Sequence, residues 1–568
     1  MSTATTTTRD EGAAKPGPSS PSAMAHRQTM RAISGLLLGL FVSMLSSTIV
    51  TNALPAIMSD LHGSATSYTW VVTANLLAMT ASMPIWGKLA DLVNKKRLVQ
   101  SALGVFVLGS VLAGLSTSPG MLIACRFIQG IGSGGMSSLV QVAMGAIIPA
   151  RDRGKYNGYV GATFAVATVT GPLVGGLVVD TPWLGWRWCF YLGLPIAAAA
   201  GVLIQRTLRL PIGVREVSID YAGALLISGG ASCLLVWISL AGDAFGWASA
   251  QTGGLIGGGV LLLAIAVAVE FRVREPMIPP RLFRDRTLVL CVIAAFCVGT
   301  VMFSTPVMLS QYFQLGQGRS PVISGLLAVP LVGAMAYSSI HVGRMISRTG
   351  RWKRFLVLGS VLVITGLLLL GLIGPMTTPV LVGLAMVPVG LGLGMVQQNL
   401  IVIAQNTAPL TDLGAASATV QFIRSLGGTT GVAVLGALIA HRITDLTASG
   451  LAANGLPANT LGDGRDIPDL DTLGAPVASV VRHAYGTAVP DAFLSAVPLI
   501  VVAGIIILFI RETTLRTTVR VDPTTETGPR PGPPDERALA VSGRKQHGLH
   551  GPRHRRHQPA ADRSLSRD

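Results

Sequence analysis

The chain has 568 residues, half of them hydrophobic and only 12% charged, with a mean hydropathy of +0.58. Soluble domains carry about 25% charged residues, so this composition excludes a soluble enzyme and places the chain in a membrane. The 43 Lys and Arg against 26 Asp and Glu leave a formal charge of +17, which a bilayer tolerates in loops and at the ends of spans far better than at mid-depth.

In chain order, residues 1–31 are rich in Ser, Thr, Pro and Gly and read as a disordered leader, because the apolar run after them is too long for a cleaved signal peptide. Fourteen apolar runs follow, each near the roughly 20 residues that cross about 30 Å of hydrocarbon. Six lie at 33–55, 68–88, 98–116, 120–148, 158–179 and 189–206; two more lie at 221–242 and 252–270. The last six are 287–311, 322–342, 354–374, 379–405, 413–440 and 491–510. The organisation expected is therefore an all-α polytopic membrane protein, with a leader (1–31), a six-helix bundle (32–206) and two linking transmembrane helices with their loops (207–286). A second six-helix bundle (287–510) carries a polar insert at 442–490, and a basic disordered tail (511–568) follows. The tail, with Arg553-His-Arg-Arg-His557, reads as a solvated segment without a nucleic-acid partner.

Orientation follows from the basic residues. With the N-terminus inside, 36 of the 43 Lys and Arg fall in cytoplasmic segments, five fall in outer loops, and Arg126 and Arg424 sit within spans. Lys and Arg in short loops stay on the cytoplasmic side, so both termini are expected there, in a plasma membrane. The five cysteines all fall in apolar runs without metal-ligand spacing, and no phosphate-binding loop, metal cluster or acid pair is visible. No cofactor, no metal and no enzymatic activity are expected.

The hinge Gly87-Lys-Leu-Ala-Asp-Leu-Val-Asn-Lys-Lys-Arg97 recurs, degraded, as Gly343-Arg-Met-Ile-Ser-Arg-Thr-Gly-Arg-Trp-Lys-Arg354, each copy joining two apolar runs. A repeated basic hinge marks a duplicated transporter. Gly87 allows close helix approach, Asp91 follows it, and Lys95, Lys96 and Arg97 mark the cytoplasmic surface. Asn94 stands where the chain reverses and is expected to use its tolerance for left-handed backbone. In the fourth run Arg126 and Gln129 share a helix face, with Gly130 and Gly134 spaced for close packing, and an intramembrane Arg is by default a functional residue. The fifth run carries Gly171-Pro172-Leu-Val-Gly175-Gly176, a smooth and kinkable face.

These segments resemble signatures of the major facilitator superfamily: its Gly-x-Leu-Ala-Asp loop, here with Asn94 in place of a second glycine, its Arg-x-x-Gln-Gly-x-Gly motif, and the Gly-Pro-x-x-Gly-Gly motif of its antiporters. Thr48-Ile-Val-Thr-Asn-Ala-Leu-Pro55, Trp186-Arg-Trp-Cys-Phe-Tyr-Leu-Gly-Leu-Pro195 and Gln421-Phe-Ile-Arg-Ser-Leu-Gly-Gly428, together with fourteen spans, narrow the resemblance to the fourteen-span drug:proton antiporter branch over about 31–515. The resemblance implies a major facilitator fold of two six-helix bundles plus two central helices. It also implies gating by Gly87, Asp91, Lys95, Lys96 and Arg97, proton coupling through Arg126, Gln129 and Asp91, and an antiporter helix at Gly171, Pro172, Gly175 and Gly176. Two departures stand out: Ser46 occupies a position that usually holds an acid, and Gly193 one that usually holds Asn.

Polar residues within the runs outline a substrate cavity between the halves: Ser46, Asn52, Asn75, Thr168, Ser304, Gln421 and Arg424. No acid falls at mid-span; Asp91, Asp180, Glu270 and Asp491 lie nearest, at span ends. The function expected is export of small hydrophobic or amphipathic drugs or natural products in exchange for protons by alternating access, by a monomer surrounded by lipid in a bacterial inner membrane; the rival is a proton-coupled metabolite importer or symporter. The topology is testable: a phosphatase fused at Ala453 should be active and one fused after Arg520 inactive, and the reverse pattern would remove this architecture.

Overall fold

The computed structural model describes residues 21–62, 65–181, 184–208, 220–240, 248–273, 278–454 and 474–516, with isolated positions between them. All of them belong to one compact unit that ends at Val519. In chain order the helices are α1 (Pro21–Asp60), α2 (Ala65–Leu92), α3 (Lys95–Gly114), α4 (Pro119–Ile147), α5 (Ala150–Asp180), α6 (Trp188–Tyr191), α7 (Gly193–Thr207), α8 (Tyr221–Leu240) and α9 (Ala250–Glu270). They continue as α10 (Arg286–Gln311), α11 (Pro321–Leu327), α12 (Val329–Thr349), α13 (Lys353–Gly371), α14 (Pro379–Thr407), α15 (Leu413–Ala453) and α16 (Ala475–Phe509). With α6 and α11 as short preludes, fourteen long helices remain among the described residues, the number expected.

Eleven helical stretches among the described residues are long and apolar enough to cross a bilayer by length and composition. The three long helices outside that set are α2, α4 and α8. Helix α4 carries Arg126, Gln129 and Gln141 against protein rather than lipid, so its composition need not match hydrocarbon. The apolar stretch of α8 is short, Ala222–Ile238.

Helix boundaries follow local chemistry. Ser118 caps α4 ahead of Pro119, Ser320 caps α11 ahead of Pro321, and the Asp285 side chain accepts from the Thr287 and Leu288 amides at the start of α10. Gly350 ends α12 with φ +69°, a conformation that suits glycine. Asn94, the matching position of the first hinge, behaves differently from expectation: its φ is −61° and ψ 108°, and its side chain accepts from the Lys96 and Arg97 amides. It reverses the chain as an N-cap in extended backbone, so no left-handed residue is needed there.

Two other expectations are corrected. Helix α1 begins at Pro21, so the last eleven residues assigned to the leader are helical, and a proline in the first turn costs no hydrogen bond. The insert expected at 442–490 is largely helical at both ends, because α15 runs on to Ala453 and α16 starts at Ala475. Leu451, Val477 and Val480 pack together along this extension, and Arg442 Nε bonds Asp491 Oδ2 at 3.0 Å, so Asp491 is an interior residue of a long helix. The centre of the insert, 455–473, lies outside the described residues.

The first half has its core among α1, α3, α4 and α7 around Leu36, Phe106, Met136 and Ala200. The second half is cored by residues such as Leu288, Leu356, Val389 and Phe493 from α10, α13, α14 and α16. Helix α8 sits at their junction. Its Ala231 packs with Met79 and Met83 of α2 and Phe422 of α15, and Ser228 Oγ bonds the Ala81 carbonyl at 2.9 Å. The halves approach along α2 and α15, and again along α5 and α12, where a Cβ on Gly158 would lie 2.5 Å from Ile340 Cα. All five cysteines are free; four are buried and Cys233 is partly buried, as packing residues would be.

Candidate functional site

At the end of the bundle that carries the basic hinges, Asp91 of α2 reaches across to α15. Its Oδ1 accepts from the Gly414 amide at 2.9 Å and its Oδ2 from the Ala415 amide at 3.0 Å. A helix N-terminus holds unsatisfied N–H groups and the positive end of the dipole, so it receives a carboxylate well. Each bond from a backbone donor to a charged acceptor contributes roughly 1.5–3 kcal/mol. Small residues admit the approach: a Cβ on Gly87 would collide with Ala418 Cβ, and one on Gly414 would collide with the Gly87 carbonyl. Asp91 lies beyond the 68–88 run, and burial pushes its carboxyl up to about 7, against the lowering effect of the two amides and of Lys95 and Lys88. Lys95 is partly buried, Arg97 is exposed, and Lys96 Nζ donates to the Gln205 carbonyl at 2.6 Å.

A second set of contacts joins the halves nearby. Arg153, at the start of α5, donates to Gln405 Oε1 at 2.8 Å, to the Ile148 carbonyl at 2.8 Å and to the Gly145 carbonyl at 2.5 Å. Burial lowers its guanidinium to about 10, with Arg516 adding like charge. Gln405 Nε2 in turn donates to Ser417 Oγ at 2.5 Å, and Gln141 Nε2 donates to Gln398 Oε1 at 3.0 Å. Sequence reasoning singled out none of these. The signal available was amide residues in apolar runs, Gln141 and the set Gln397, Gln398, Asn399 and Gln405, which a bilayer admits only against protein or water. Toward mid-helix, Thr80 and Ser425 hydroxyls meet at 2.7 Å and Gln421 Nε2 donates to the Ser137 carbonyl at 2.7 Å. Among the described residues, hydrogen bonds between the halves thus run from mid-helix to the basic end, and that end is closed. Ion pairs toward the opposite end, Arg187 with Asp60 and Arg442 with Asp491, stay within one half.

The segment after α16 adds a strap at the same end. Glu512 Oε1 accepts from the Trp352 and Lys353 amides at 3.0 and 3.3 Å, and the Trp352 indole donates to the Thr513 carbonyl at 3.0 Å. Asn406 accepts from the Arg516 amide at 2.9 Å and donates to the Thr514 carbonyl.

Each half holds one buried Arg–Gln pair. Arg126 Nη1 donates to Gln129 Oε1 at 2.5 Å, and Gln129 Nε2 donates to Ser110 at 2.7 Å and Ser46 at 3.1 Å. Ser46, where the resemblance leads one to expect an acid, is therefore a neutral acceptor at the end of that relay. In α15 the order is inverted: Arg424 Nη2 donates to Gln421 Oε1 at 2.8 Å, while its Nε and Nη1 are buried without a protein partner.

The remaining expected residues are distributed. Gly130 and Gly134 press on the Asn75 and Met79 carbonyls of α2, the close packing expected of them. Gly171 lies against Thr48, where a Cβ would overlap the hydroxyl; Gly175 is buried, and a Cβ on Gly176 would meet Val322 at ordinary contact distance. Thr168 and Ser304 bond carbonyls of their own helices, and Asn75 is buried with Oδ1 unpartnered. The side chains of Asn52 and Pro172 lie outside the described residues. Ser46, Asn75, Ser304 and Gln421 are no more than 3% exposed, so these four are packed rather than lining an open chamber.

Residues 36–432 match the sequence profile of the Major Facilitator Superfamily. The chain belongs to that superfamily. It is 32% identical over 454 residues to the multidrug transporter protein MdtP of Bacillus subtilis, covering 80% of each chain. It is 33% identical over 497 residues to the efflux pump dotC of Dothistroma septosporum, covering 86% of this chain and 84% of that one. An uncharacterised MFS-type transporter of Mycobacterium tuberculosis is 35% identical over 485 residues, covering 85% and 69%. The crystal structure of the human organic anion transporter MFSD10 shares the fold at a TM-score of 0.54 and 14% identity, covering 83% of this chain and 99% of that one. The protein is thus a multi-pass membrane transporter of this superfamily and not an enzyme.

Asp91→Asn should leave insertion intact and abolish efflux, because an amide turns a donor toward one of the two backbone N–H groups; wild-type transport by the variant would reduce Asp91 to a topology residue. Gly171→Leu should stop transport by forcing α5 off Thr48, at a cost of about 1–3 kcal/mol of stability; unchanged efflux with an unchanged melting temperature would remove this close contact from the mechanism.

Proposed function

We propose that the protein exports small hydrophobic or amphipathic compounds in exchange for protons, by alternating access between the halves, with both termini at the cytoplasmic face. The observation that carries this reading is the Asp91 bridge to the start of α15, a contact that closes one end through two hydrogen bonds between the halves. Names of relatives, a multidrug transporter and an efflux pump, support export of drug-like compounds. The one-sided basic loops support the orientation, and the gradient itself supplies the energy without a cofactor. Asp91 is the titrating group best placed to couple protons to closure: as carboxylate it accepts both amides, and protonation as pH falls through about 7 weakens that contact. Arg126 and Gln129 serve as a separate buried relay toward the opposite end of α2, where Arg126 Nε donates to the Val71 carbonyl.

The substrate's charge follows from the interior. No carboxylate lies at mid-depth near the Arg–Gln pairs to partner a buried cation, whereas Arg424 offers two unused donors. Neutral or anionic amphiphiles are therefore the preferred cargo. In everted vesicles, pH-gradient-driven uptake of acidic or neutral antibiotics should exceed that of divalent cationic dyes and vanish with a protonophore. Arg424→Gln should weaken uptake of the acidic compounds by about tenfold or more, as expected for one charge-assisted hydrogen bond. Preferential uptake of the dications would overturn the substrate class.

A further inference from the structure

We propose that the seam between α3 and α7 binds one anionic phospholipid, its acyl chain in an apolar furrow and its phosphate at a basic mouth. The furrow measures about 290 Å³ and is walled by Leu103, Gly104 and Val107 on one side and Leu194, Ala197 and Gly201 on the other. Small side chains open it: a Cβ on Gly104 would meet nothing within 4 Å. From Gln100 to Val107 the wall rises about 10 Å, roughly a third of the hydrocarbon thickness, so the furrow lies within one leaflet. Its surroundings are lipid-facing, with Leu108 and Val202 each 53% exposed beside it.

The two ends of the furrow differ in chemistry. At the basic end Gln100 Nε2 bonds Gln205 Oε1 at 2.7 Å across the seam, which marks where apolar wall gives way to polar interface. One turn beyond Gln100 on α3 stand Lys96 and Arg97, and Arg206 directly follows Gln205 on α7. Lys96 spends one of its three donors on the Gln205 carbonyl, and Arg97 and Arg206 are exposed. Among the described residues no carboxylate pairs with any of the three. Three cations with no counter-charge among the described residues, above an apolar slot, complement an anionic headgroup carrying a tail, and each basic group near the membrane surface adds attraction for anionic lipid. A zwitterionic lipid satisfies the slot but leaves the net charge uncompensated.

The test uses the full-length protein in nanodiscs of equimolar phosphatidylglycerol and phosphatidylcholine, released into detergent and read by native mass spectrometry. Wild type should retain one phosphatidylglycerol with about tenfold preference over phosphatidylcholine. Gly104→Leu, which fills the slot, should lose the retained lipid, and Ala198→Leu should do the same from the facing wall. Arg206→Gln should keep a retained lipid but lower the preference. Excess inorganic phosphate should not displace the lipid. The proposal is overturned if wild type shows no preference, if both slot-filling variants retain the lipid at unchanged melting temperature, or if inorganic phosphate displaces it.

Discussion

The carboxylate of Asp91 seated on the second and third amides of α15 is the contact on which the closed end of the molecule depends. It joins residues more than 300 positions apart with two hydrogen bonds, and little else at that spot is large enough to hold two bundles together, since Gly87 and Gly414 face each other backbone to backbone. A bilayer supplies no hydrophobic drive for helices to associate, so close backbone approach and charge-assisted bonds carry the interaction. The same device recurs where Glu512 meets the start of α13 and, locally, where Asp285 meets the start of α10. Asp220 does the same at the start of α8, so among the described residues at least four acids accept amides at helix N-termini on this face.

Behind the latch the joint is built mostly from amides and hydroxyls: Gln141 with Gln398, Gln405 with the Gln141 carbonyl, Thr80 with Ser425. Neutral pairs of this kind contribute about 1 kcal/mol each. Several together close a seam without making it irreversible, which suits a protein whose halves must separate on every cycle. Arg153 is the one cation of this set, tied to both halves through Gln405 and its own α4 end.

How much of this could be read from residues alone varies with the kind of signal. The fourteen helices and the close-packing role of Gly130 and Gly134 were legible, because apolar length and glycine spacing act within one or two helices. The helical extensions past 440 and before 491 were not, since polar residues there look like loop until the partner helix is known; Arg442 and Asp491 are 49 positions apart. Asn94 was read by analogy with glycine, whereas its side-chain oxygen caps α3, as asparagine often does. The joint around Arg153 and Gln405 stayed hidden because its partners are some 250 residues apart and no local pattern encodes such a pairing. The hydroxyls placed in the cavity are ambiguous for a related reason: one that bonds its own helix, as those of Thr168 and Ser304 do, looks in sequence like one that awaits a ligand.

The strap formed by residues 511–516 bears on how the chain can be shortened or tethered. A cut after Arg516 keeps every contact to Trp352, Lys353, Asn406 and Ala408, whereas a cut after Ile510 strips the carboxylate from the start of α13 and leaves the Trp352 indole and the Asn406 amide to water. The last apolar helix is therefore not the functional end of the membrane domain. Any load hung on the tail, whether a purification handle or a fused reporter, pulls first on α13 and α14 where they meet the closed face, so a spacer beyond Arg516 is the mechanical isolator such attachments need.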